Sequence, residues 1–333
     1  MTGTSDRRAG PDRWRVLPQG AGQRLDTYLA TVYGTSRNQV AKWIRSGVVL
    51  VGARTAKPSL KLEGGEWISC EPLLISQDGV LEPEPGTLRI LYQDESLIIL
   101  DKDADLVVHP GAGRQSGTLA HRLLAHFPEI GEVGGPGRPG IVHRLDKGTS
   151  GIMVVARTVE AYQALSKAFS ERRVVKEYLA IVFGAPSPFE GLIDAAIARH
   201  PQQRKEMTIS ARGRPARTAY RTLGSTDEAA LLELSLETGR THQIRVHLKH
   251  LGHPIIGDPV YGEARWKNLP KKRQKVFREF PRPALHAWRL AFRHPADGSQ
   301  VEFRAVPPGD LTQLWQSLSG EGLPLEEPDS ADS

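Results

Sequence analysis

The spacing of apolar residues near the N-terminus predicts two short helices followed by strands. Leu25 and Leu29 are four residues apart, which places them on one face of a helix. A second helix is predicted after Ser36, which can cap its first turn together with Gln39, and Gly47 can end it. Apolar runs separated by glycine-containing turns then predict strands at 48–51, 60–62 and 66–68.

The longer apolar runs after residue 87 predict a second, larger domain with a sheet. Residues 88–92 and 97–100 are expected to form a hairpin. Further strands are predicted at 152–156, 174–183 and 229–236, and a helix at 161–169. The strands and helices do not alternate as βαβ units do. The sequence therefore predicts an α+β fold with a mixed, largely antiparallel sheet, not a doubly wound parallel sheet.

A stretch rich in proline and glycine at 71–87 separates these two parts and predicts a linker. The predicted organisation is a disordered basic tail at 1–22, a small αβ module at 23–75, a linker at 76–87, the large domain at 88–318 and a disordered acidic tail at 319–333.

The charge of the chain favours a polyanionic partner. The net charge is +6, but residues 321–333 contain five acidic and no basic residues, so residues 1–320 carry 44 basic against 33 acidic residues. Such an excess is typical of proteins that bind nucleic acid, although many basic proteins bind none.

Composition also limits the class of protein. Cys70 is the only cysteine, which excludes an internal disulfide and a zinc site with several cysteines, and a reducing, cytoplasmic setting is expected. No run approaches the roughly 18 apolar residues that span a bilayer. Residues 1–20 contain four arginines and no apolar core, so they do not form a signal peptide. No membrane association is expected.

One acidic residue stands among basic ones in the segment 140–151. Asp146 is flanked by His143, Arg144 and Lys147, and a glycine-containing turn and the strand predicted at 152–156 follow. A carboxylate on a loop beside a strand, surrounded by cations, stays ionised and accessible to a bound polyanion. This environment suits a nucleophile better than a structural ion pair. The alternative is an aspartate that only caps the turn.

Tyr178 lies in the strand predicted at 174–183. From there its ring can stack on a base that is turned out of an RNA helix, and its hydroxyl can approach that base. Considered alone, a tyrosine on a strand is more often a core or surface residue.

The segment 237–248 predicts a basic helix face. Thr241 can cap this helix, and His242, Arg245 and Lys249 share a face that can meet a carboxylate and a phosphate. The forked guanidinium of Arg245 suits an aspartate held in a fixed orientation. Four histidines lie between 242 and 253, but their spacing does not match a helix-borne zinc pair, so no metal is expected.

A second basic region covers 265–282, with eight basic residues and three aromatic ones. Such a segment can bind phosphates and stack bases, or it can be a solvated basic loop. Residues 199–205 form another basic loop.

These segments together resemble the motifs of the RluA/RluD type of pseudouridine synthases, which isomerise uridine inside RNA. The resemblance spans roughly residues 24–308 and includes 252–262 and the sequence Leu285-His286-Ala287. The segment from Arg24 to Gly47 resembles the small RNA-binding module of ribosomal protein S-four. Gly148 departs from the family, where this position is often acidic.

The resemblance implies a pseudouridine synthase fold, no cofactor and a set of site residues. Asp146, Tyr178 and Arg245 are implied as catalytic, and Leu285 is implied to lie beneath the substrate base. The expected substrate-binding residues are Arg144, His143, Leu285, His242 and Arg240. The expected RNA-binding residues are Arg37, Lys42, Arg45, Arg199, Lys271, Lys272 and Arg273.

The expected function is isomerisation of specific uridines in structured RNA, through base flipping and attack by Asp146. Large-subunit ribosomal RNA is favoured over transfer RNA, in naked form or in pre-ribosomal particles, with a monomeric enzyme. Two other classes remain. An RNA-binding ribosome-assembly protein would not need Asp146, Tyr178 and Arg245, and a glycoside-cleaving hydrolase would need a second acid, which the sequence does not obviously supply.

Overall fold

The computed structural model describes residues 12–33, 37–70, 81–111, 114–135, 137–203, 205–262, 265–269 and 271–325. The chain divides into two compact units, residues 1–82 with 135–137 and residues 83–134 with 138–333. Each unit contains a hydrophobic core of its own.

The N-terminal unit contains a four-stranded antiparallel sheet and two helices. Its strands are β1 (Asp12–Arg15), β2 (Val49–Val51), β3 (Arg54–Thr55) and β4 (Trp67–Cys70), in the order β1-β4-β2-β3. Helices α1 (Leu25–Val32) and α2 (Arg37–Arg45) agree with the two predicted helices. Leu25 and Leu29 are fully buried, and Gly47 follows α2 with φ +83°, a conformation that favours glycine. Ser36, the predicted cap, lies outside the described residues.

Two predictions for this unit were wrong. The strand predicted at 60–62 is reduced to an isolated bridge between Arg24 and Lys61. The tail predicted at 1–22 contains β1, which pairs with β4 over its whole length, and Val16 after it is buried in the core. Trp14 and Val16 alternate with arginines, which is the period-two pattern of a half-buried strand. The prediction weighed the arginines and overlooked this alternation.

The large unit is built on a nine-stranded sheet. Its strands are β5 (Arg89–Gln93), β6 (Leu97–Lys102), β7 (Ser150–Ala156), β8 (Val175–Phe183), β9 (Glu190–Asp194), β12 (Arg217–Ser225), β13 (Ala229–Leu236), β14 (Leu285–Arg293) and β15 (Gln300–Arg304). The order is β5-β6-β7-β14-β8-β13-β12-β9, with β15 paired to β14. Every pair is antiparallel except β14 with β7. This confirms the predicted mixed, largely antiparallel sheet.

The remaining elements lie around this sheet. The helices are α3 (Leu119–His126), α4 (Val159–Ser170), α5 (Gln243–His250), α6 (Lys271–Glu279) and α7 (Gly309–Ser319). Short 3-10 helices occupy Pro128–Glu132 and Arg265–Asn268 in this unit and Pro18–Gly20 in the N-terminal unit, and β10 (Ile197–Arg199) pairs with β11 (Met207–Ile209) in the large unit. Strands β6 and β7 are buried along their whole length. Among the described helices, none is both long and apolar enough to cross a membrane.

The start of the tail predicted at 319–333 is ordered. Gly320 ends α7 with φ +80°, and Leu323 and Leu325 then pack against the core of the large unit. These two leucines continue the apolar side of the chain beyond α7, whereas the prediction was based on the acidic residues. Residues 326–333 lie outside the described part.

Strand β7 begins at a point where only glycine fits. Gly151 has φ +116°, and a Cβ built on it would lie 2.0 Å from the carbonyl oxygen of Ala287. This close approach lets β7 pair in parallel with β14 at Ser150 and Gly151. The loop before β7 is therefore fixed at the junction of these two strands.

Candidate active site

Asp146 lies in a tight turn directly before β7, within residues 144–149, which we call the Asp146 loop. Thr149 N donates to the carbonyl oxygen of Asp146 at 3.1 Å and closes the turn. Asp105 N donates to the carbonyl oxygen of Lys147 at 2.7 Å. The loop backbone is therefore held from two sides, while the carboxylate of Asp146 remains 22% exposed.

Gly148, where the chain departs from the family pattern, has a packing reason to be glycine. A Cβ built on it would lie 2.7 Å from Cδ of Pro283. A larger residue at position 148 would thus require the segment around Pro283 to move. The departure leaves Asp146 itself unaffected.

Arg245 binds two carboxylates at once. Its Nε and Nη2 donate to Oδ2 and Oδ1 of Asp258 at 2.6 and 2.8 Å, and its Nη1 donates to Oδ2 of Asp146 at 3.3 Å. Burial lowers the pKa of Arg245, but the hydrogen bonds to Asp258 outweigh this and raise it above its usual value. The forked contact fixes the plane of the guanidinium and thereby aims Nη1 at Asp146.

Asp258 is a site residue to which sequence reasoning gave no role. Its side chain is fully buried, and Oδ1 also accepts hydrogen bonds from Val260 N and Tyr261 N. Burial opposes ionisation, yet Arg245 and these backbone groups lower the pKa of Asp258 below its usual value. The sequence Gly257-Asp258-Pro259 has the composition of a turn whose aspartate binds the following N–H groups, which was the available signal.

Helix α5 carries Arg245 and begins differently from the prediction. Its N-cap is His242, with φ +56° in the left-handed region, not Thr241. Ile244, Leu248 and Arg245 are buried, whereas Lys249 is exposed, so the predicted basic face of α5 is only partly open to solvent.

His242 lies between Asp146 and Tyr261. Its Nε2 is 3.9 Å from Oδ2 of Asp146, and its Nδ1 is 2.8 Å from the hydroxyl oxygen of Tyr261. That hydroxyl oxygen accepts a hydrogen bond from Met207 N at 2.8 Å. Burial lowers the pKa of His242 against the attraction of Asp146. Tyr261 is a second residue to which the sequence gave no role.

One pocket brings together all the predicted catalytic residues and most of the predicted substrate-binding residues. It is lined by Asp146, Tyr178 and Arg245 and by the predicted substrate-binding residues Arg144, Leu285, His242 and Arg240. Burial, and next the charge of Asp146, raise the pKa of the Tyr178 phenol, so the phenol is neutral at physiological pH. Leu285 supplies a buried apolar wall. The pocket thus combines a carboxylate, an aromatic ring, an apolar surface and several basic groups.

His143 is the one predicted substrate-binding residue that does not line this pocket. Its ring stacks on Phe169 with a centroid distance of 4.6 Å, and Nε2 accepts a hydrogen bond from Val154 N. Burial lowers its pKa to about 3, so the ring is neutral. The structure thus does not bring His143 into the pocket, because a position within the motif does not decide which way a side chain points. His143 instead connects the start of the Asp146 loop to β7 and α4.

Lys102 is a buried lysine whose positive charge interacts with the negative charge of Asp146. It is 1% exposed, and Nζ donates to the carbonyl oxygens of Asp103 and Leu106 at 2.8 and 3.0 Å. Burial lowers its pKa to about 8, against the attraction of Asp103 and Asp146. Lys102 ends the buried strand β6, and no motif in the sequence marks it.

The basic segment 265–282 differs from the prediction. Phe277 is buried and stacks on Phe183 at 5.2 Å, so its ring is not free to stack a base, and Trp266 and Phe280 are half-buried against the same core. Arg282 is also buried. Its Nε and Nη2 bind both carboxylate oxygens of Asp310 at 2.7 Å, and its Nη1 donates to the carbonyl oxygen of Gly148 at 3.3 Å. Arg282 therefore holds the Asp146 loop.

The predicted RNA-binding residues lie on both units. On α2, Lys42 and Arg45 are exposed, and Arg37 is exposed but donates to Oδ2 of Asp26 at 3.4 Å. In the large unit, Arg199 on β10 and Lys271 on α6 are exposed. The side chains of Lys272 and Arg273 lie outside the described part of the structure. None of the five residues whose side chains are described lines the Asp146 pocket.

Comparison with known proteins decides the family. Residues 96–250, which include Asp146, Tyr178 and Arg245, match the family described as RNA pseudouridylate synthase, and residues 23–68 match the S4 domain. A protein of Xanthomonas campestris named ribosomal large subunit pseudouridine synthase D is 44% identical over 92% of each chain. The chain belongs to the RNA pseudouridylate synthase family. The protein of that name from Escherichia coli K12 is 42% identical over 90% of this chain and 92% of its own.

Solved structures agree with this assignment. Human RNA pseudouridylate synthase domain containing 1 is 30% identical, with a TM-score of 0.53 over 74% of this chain and 94% of its own. Human RNA pseudouridylate synthase domain containing 4 is 28% identical, with a TM-score of 0.52 over 69% and 92%. The expected enzyme class, α+β fold and S4-type module are confirmed, and RNA is the class of substrate.

Proposed function

We propose that this synthase converts specific uridines of large-subunit ribosomal RNA into pseudouridine, with Asp146 as the nucleophile. The observation that carries this proposal is the 3.3 Å contact from Arg245 Nη1 to Asp146 in a pocket that also contains Tyr178 and Leu285. The names and coverage of the Xanthomonas and Escherichia relatives support the choice of RNA.

In the proposed reaction the target uridine leaves its helix and enters the pocket. The base lies between the ring of Tyr178 and the side chain of Leu285, which accept it without regard to its hydrogen-bonding edge. A carboxylate oxygen of Asp146 attacks carbon 1′ of the ribose, and nitrogen 1 of uracil leaves with the bonding electron pair. Arg245 fixes the orientation of Asp146 for this attack and remains bound to Asp258.

The uracil anion then turns within the pocket. Carbon 5 attacks carbon 1′ and displaces the carboxylate, which leaves with the electrons of its ester bond. The proton on carbon 5 is lost and nitrogen 1 gains a proton, so the product is an isomer of the substrate. No external oxidant, reductant or leaving group enters this balance, in keeping with the expectation that no cofactor is used.

A hydrolytic outcome is disfavoured by the bonding of Asp258. This residue is the second acid beside the site, but both its oxygens are bound by Arg245 and its side chain is fully buried. It cannot activate a water on the sugar, which a paired-carboxylate glycosidase requires. We further propose that the enzyme acts as a monomer in the cytoplasm, on RNA within pre-ribosomal particles or before assembly.

The proposal is tested by mapping pseudouridines in ribosomal and transfer RNA from cells with and without the gene. Ribosomal sites that disappear on deletion should return with the wild-type gene but not with Asp146→Asn. Loss of transfer-RNA sites alone would replace the proposed substrate with transfer RNA. An unchanged pseudouridine map would contradict the proposed function.

A further inference from the structure

The hydroxyl of Tyr261 has a defined hydrogen-bonding direction. Its oxygen accepts a hydrogen bond from Met207 N at 2.8 Å, and Tyr261 is 3% exposed. A buried hydroxyl proton needs an acceptor, since burial removes the water that would otherwise accept it. Among the described residues, the other polar atom within hydrogen-bond distance is Nδ1 of His242 at 2.8 Å. The hydroxyl therefore donates to Nδ1.

This direction fixes the tautomer of His242. An imidazole whose Nδ1 accepts a hydrogen bond carries its proton on Nε2 when neutral. Burial lowers the pKa of His242, which favours the neutral ring. Nε2 is the atom 3.9 Å from Oδ2 of Asp146, a distance too long for a direct hydrogen bond. The ring thus presents an N–H donor to the space beside the nucleophile.

The backbone of His242 is consistent with a functional constraint. Its φ of +56° lies in the left-handed region, which costs energy for residues other than glycine and is most often adopted by asparagine, aspartate and histidine. The strained conformation places the ring at the start of α5, facing both Asp146 and Tyr261. Arg245, three residues later on α5, donates to the same carboxylate oxygen, Oδ2 of Asp146, that Nε2 of His242 faces.

We propose that Tyr261 is a positioning residue that holds His242 as an Nε2–H donor, and that this donor binds a ribose oxygen next to the carbon attacked by Asp146. The inference rests on the proposed function. Ribose is the part of the substrate that contacts Asp146. Since Nε2 and Oδ2 of Asp146 are 3.9 Å apart, a ribose oxygen beside them can lie within hydrogen-bond distance of both atoms at once. The hydrogen bond from Nε2 holds the ribose in a fixed orientation, and because the ring is neutral it adds no charge to the pocket.

The tautomer can be measured without activity. In the nitrogen NMR spectrum of the full chain with labelled histidine, His242 should show a protonated Nε2 and an unprotonated Nδ1. In Tyr261→Phe this preference should be lost. His247 on the same helix is the internal control, because its Nδ1 and Nε2 contact Thr218 and the carbonyl oxygen of Ala195 instead. A protonated Nδ1 in the wild type would overturn the proposal.

The kinetic test removes only the hydroxyl. Tyr261→Phe keeps the ring that lies 4.9 Å from the guanidinium of Arg245, and should lower kcat about 10-fold with KM nearly unchanged. Tyr220→Phe is the matched control, since it removes another buried tyrosine hydroxyl, bonded to the carbonyl oxygen of Pro188 and outside the pocket. Equal kcat values for Tyr261→Phe and the wild type would refute the positioning role.

Two replacements of His242 distinguish the effect of the Nε2 hydrogen bond from the effect of the left-handed backbone conformation. The amide nitrogen of glutamine can reach the position of Nε2, whereas asparagine is shorter and better tolerated in the left-handed conformation. We expect His242→Gln to retain about 10-fold more kcat than His242→Asn, because the donor is missing in the second variant. A merely structural role predicts the opposite order and would sink the proposal.

The outcomes distinguish this inference from the proposed function. If Asp146→Asn retained turnover while the NMR result held, the assignment of the nucleophile would fail and the tautomer would stand. If the wild type isomerised uridine normally and Tyr261→Phe matched it in both kcat and tautomer, the proposed function would stand and the inference would fail.

Discussion

Arg245 gives Asp258 two hydrogen bonds of 2.6 and 2.8 Å and gives Asp146 one of 3.3 Å. The buried aspartate is therefore the stronger partner, and the exposed aspartate receives the donor that remains. This asymmetry suits a nucleophile, since a carboxylate bound in a fork on both oxygens would be shielded from an electrophilic carbon. Asp258 fixes the arginine, and the arginine orients Asp146.

Asp258→Asn tests whether Asp258 fixes Arg245 in the orientation that Asp146 needs. The substitution keeps the shape but replaces one acceptor of the fork with an N–H donor, so Arg245 should lose its fixed plane. We expect the rate constant of a single turnover to fall about 10–100-fold with little change in RNA affinity. Asp194→Asn is the control, because it removes an exposed carboxylate that pairs with Arg217 at 3.2 Å. Loss of RNA affinity without loss of kcat would contradict the positioning role of Asp258.

Asp146→Asn tests the nucleophile itself. The amide has the same size as the carboxylate but cannot attack carbon 1′, so product should fall below detection. RNA affinity, measured by filter binding, should stay nearly unchanged because the pocket keeps its shape and its basic groups. Ordinary turnover by this variant would show that Asp146 is not the nucleophile.

Arg282→Lys tests the support of the Asp146 loop. A lysine keeps the positive charge beside Asp310 but cannot bind both its oxygens and the carbonyl oxygen of Gly148 together. We expect kcat to fall about 10-fold while RNA affinity persists. Arg157→Lys is the control, since Arg157 binds the Asp94 carbonyl oxygen and Glu129 away from the pocket. An equal, small effect of both variants on kcat would contradict the role of Arg282.

The stability of the large unit should depend on pH through His286. This residue is fully buried: Nε2 donates to the carbonyl oxygen of Ala305, and Nδ1 accepts from the hydroxyl of Ser150. Burial lowers its pKa to about 4, against about 6.5 in an unfolded chain. Between these values the unfolded chain binds a proton that the folded protein does not, so stability falls as pH drops through this window and levels off below pH 4.

The linkage of His286 predicts a loss of about 2 kcal/mol in the free energy of unfolding between pH 7 and pH 5. Urea unfolding at both pH values measures it. His286→Asn should be less stable at pH 7 but should lose about 2 kcal/mol less over this interval than the wild type. His250→Asn, at an exposed position, should keep the wild-type pH dependence. Equal pH dependence in His286→Asn and the wild type would contradict the prediction.

The sequence predicted those residues of the candidate site that a local sequence motif marks. Asp146, Tyr178 and Arg245 each stand in a local pattern with a chemical reason, and all three line the pocket. Asp258 and Lys102 were missed because their roles depend on burial and on contacts that form only in the folded chain. The partner of Asp258 is 13 residues away on another element, and Lys102 is defined by burial at the end of β6.

The errors have a related cause. His143 was placed in the site because it stands beside Arg144 in the motif, yet its ring faces Phe169. Phe277 lies in a basic segment that could bind phosphates and stack bases or form a solvated loop, yet α6 places its ring in the core. Local charge and sequence neighbourhood do not specify the direction of a side chain, which packing decides.

The N-terminal module should contribute RNA affinity through the exposed side of α2. A Lys42→Gln/Arg45→Gln variant removes two exposed cations without touching the large unit. If both bind phosphates, the slope of log affinity against log salt should flatten by about 1.4–1.8, and affinity at low salt should fall. Turnover of a short substrate at saturation should persist, because none of the pocket residues lies on α2. Lys57→Gln/Lys61→Gln removes the same charge from another part of the module. If this control changes the salt slope as much as the α2 variant does, the module acts through net charge and α2 is not its RNA-binding surface.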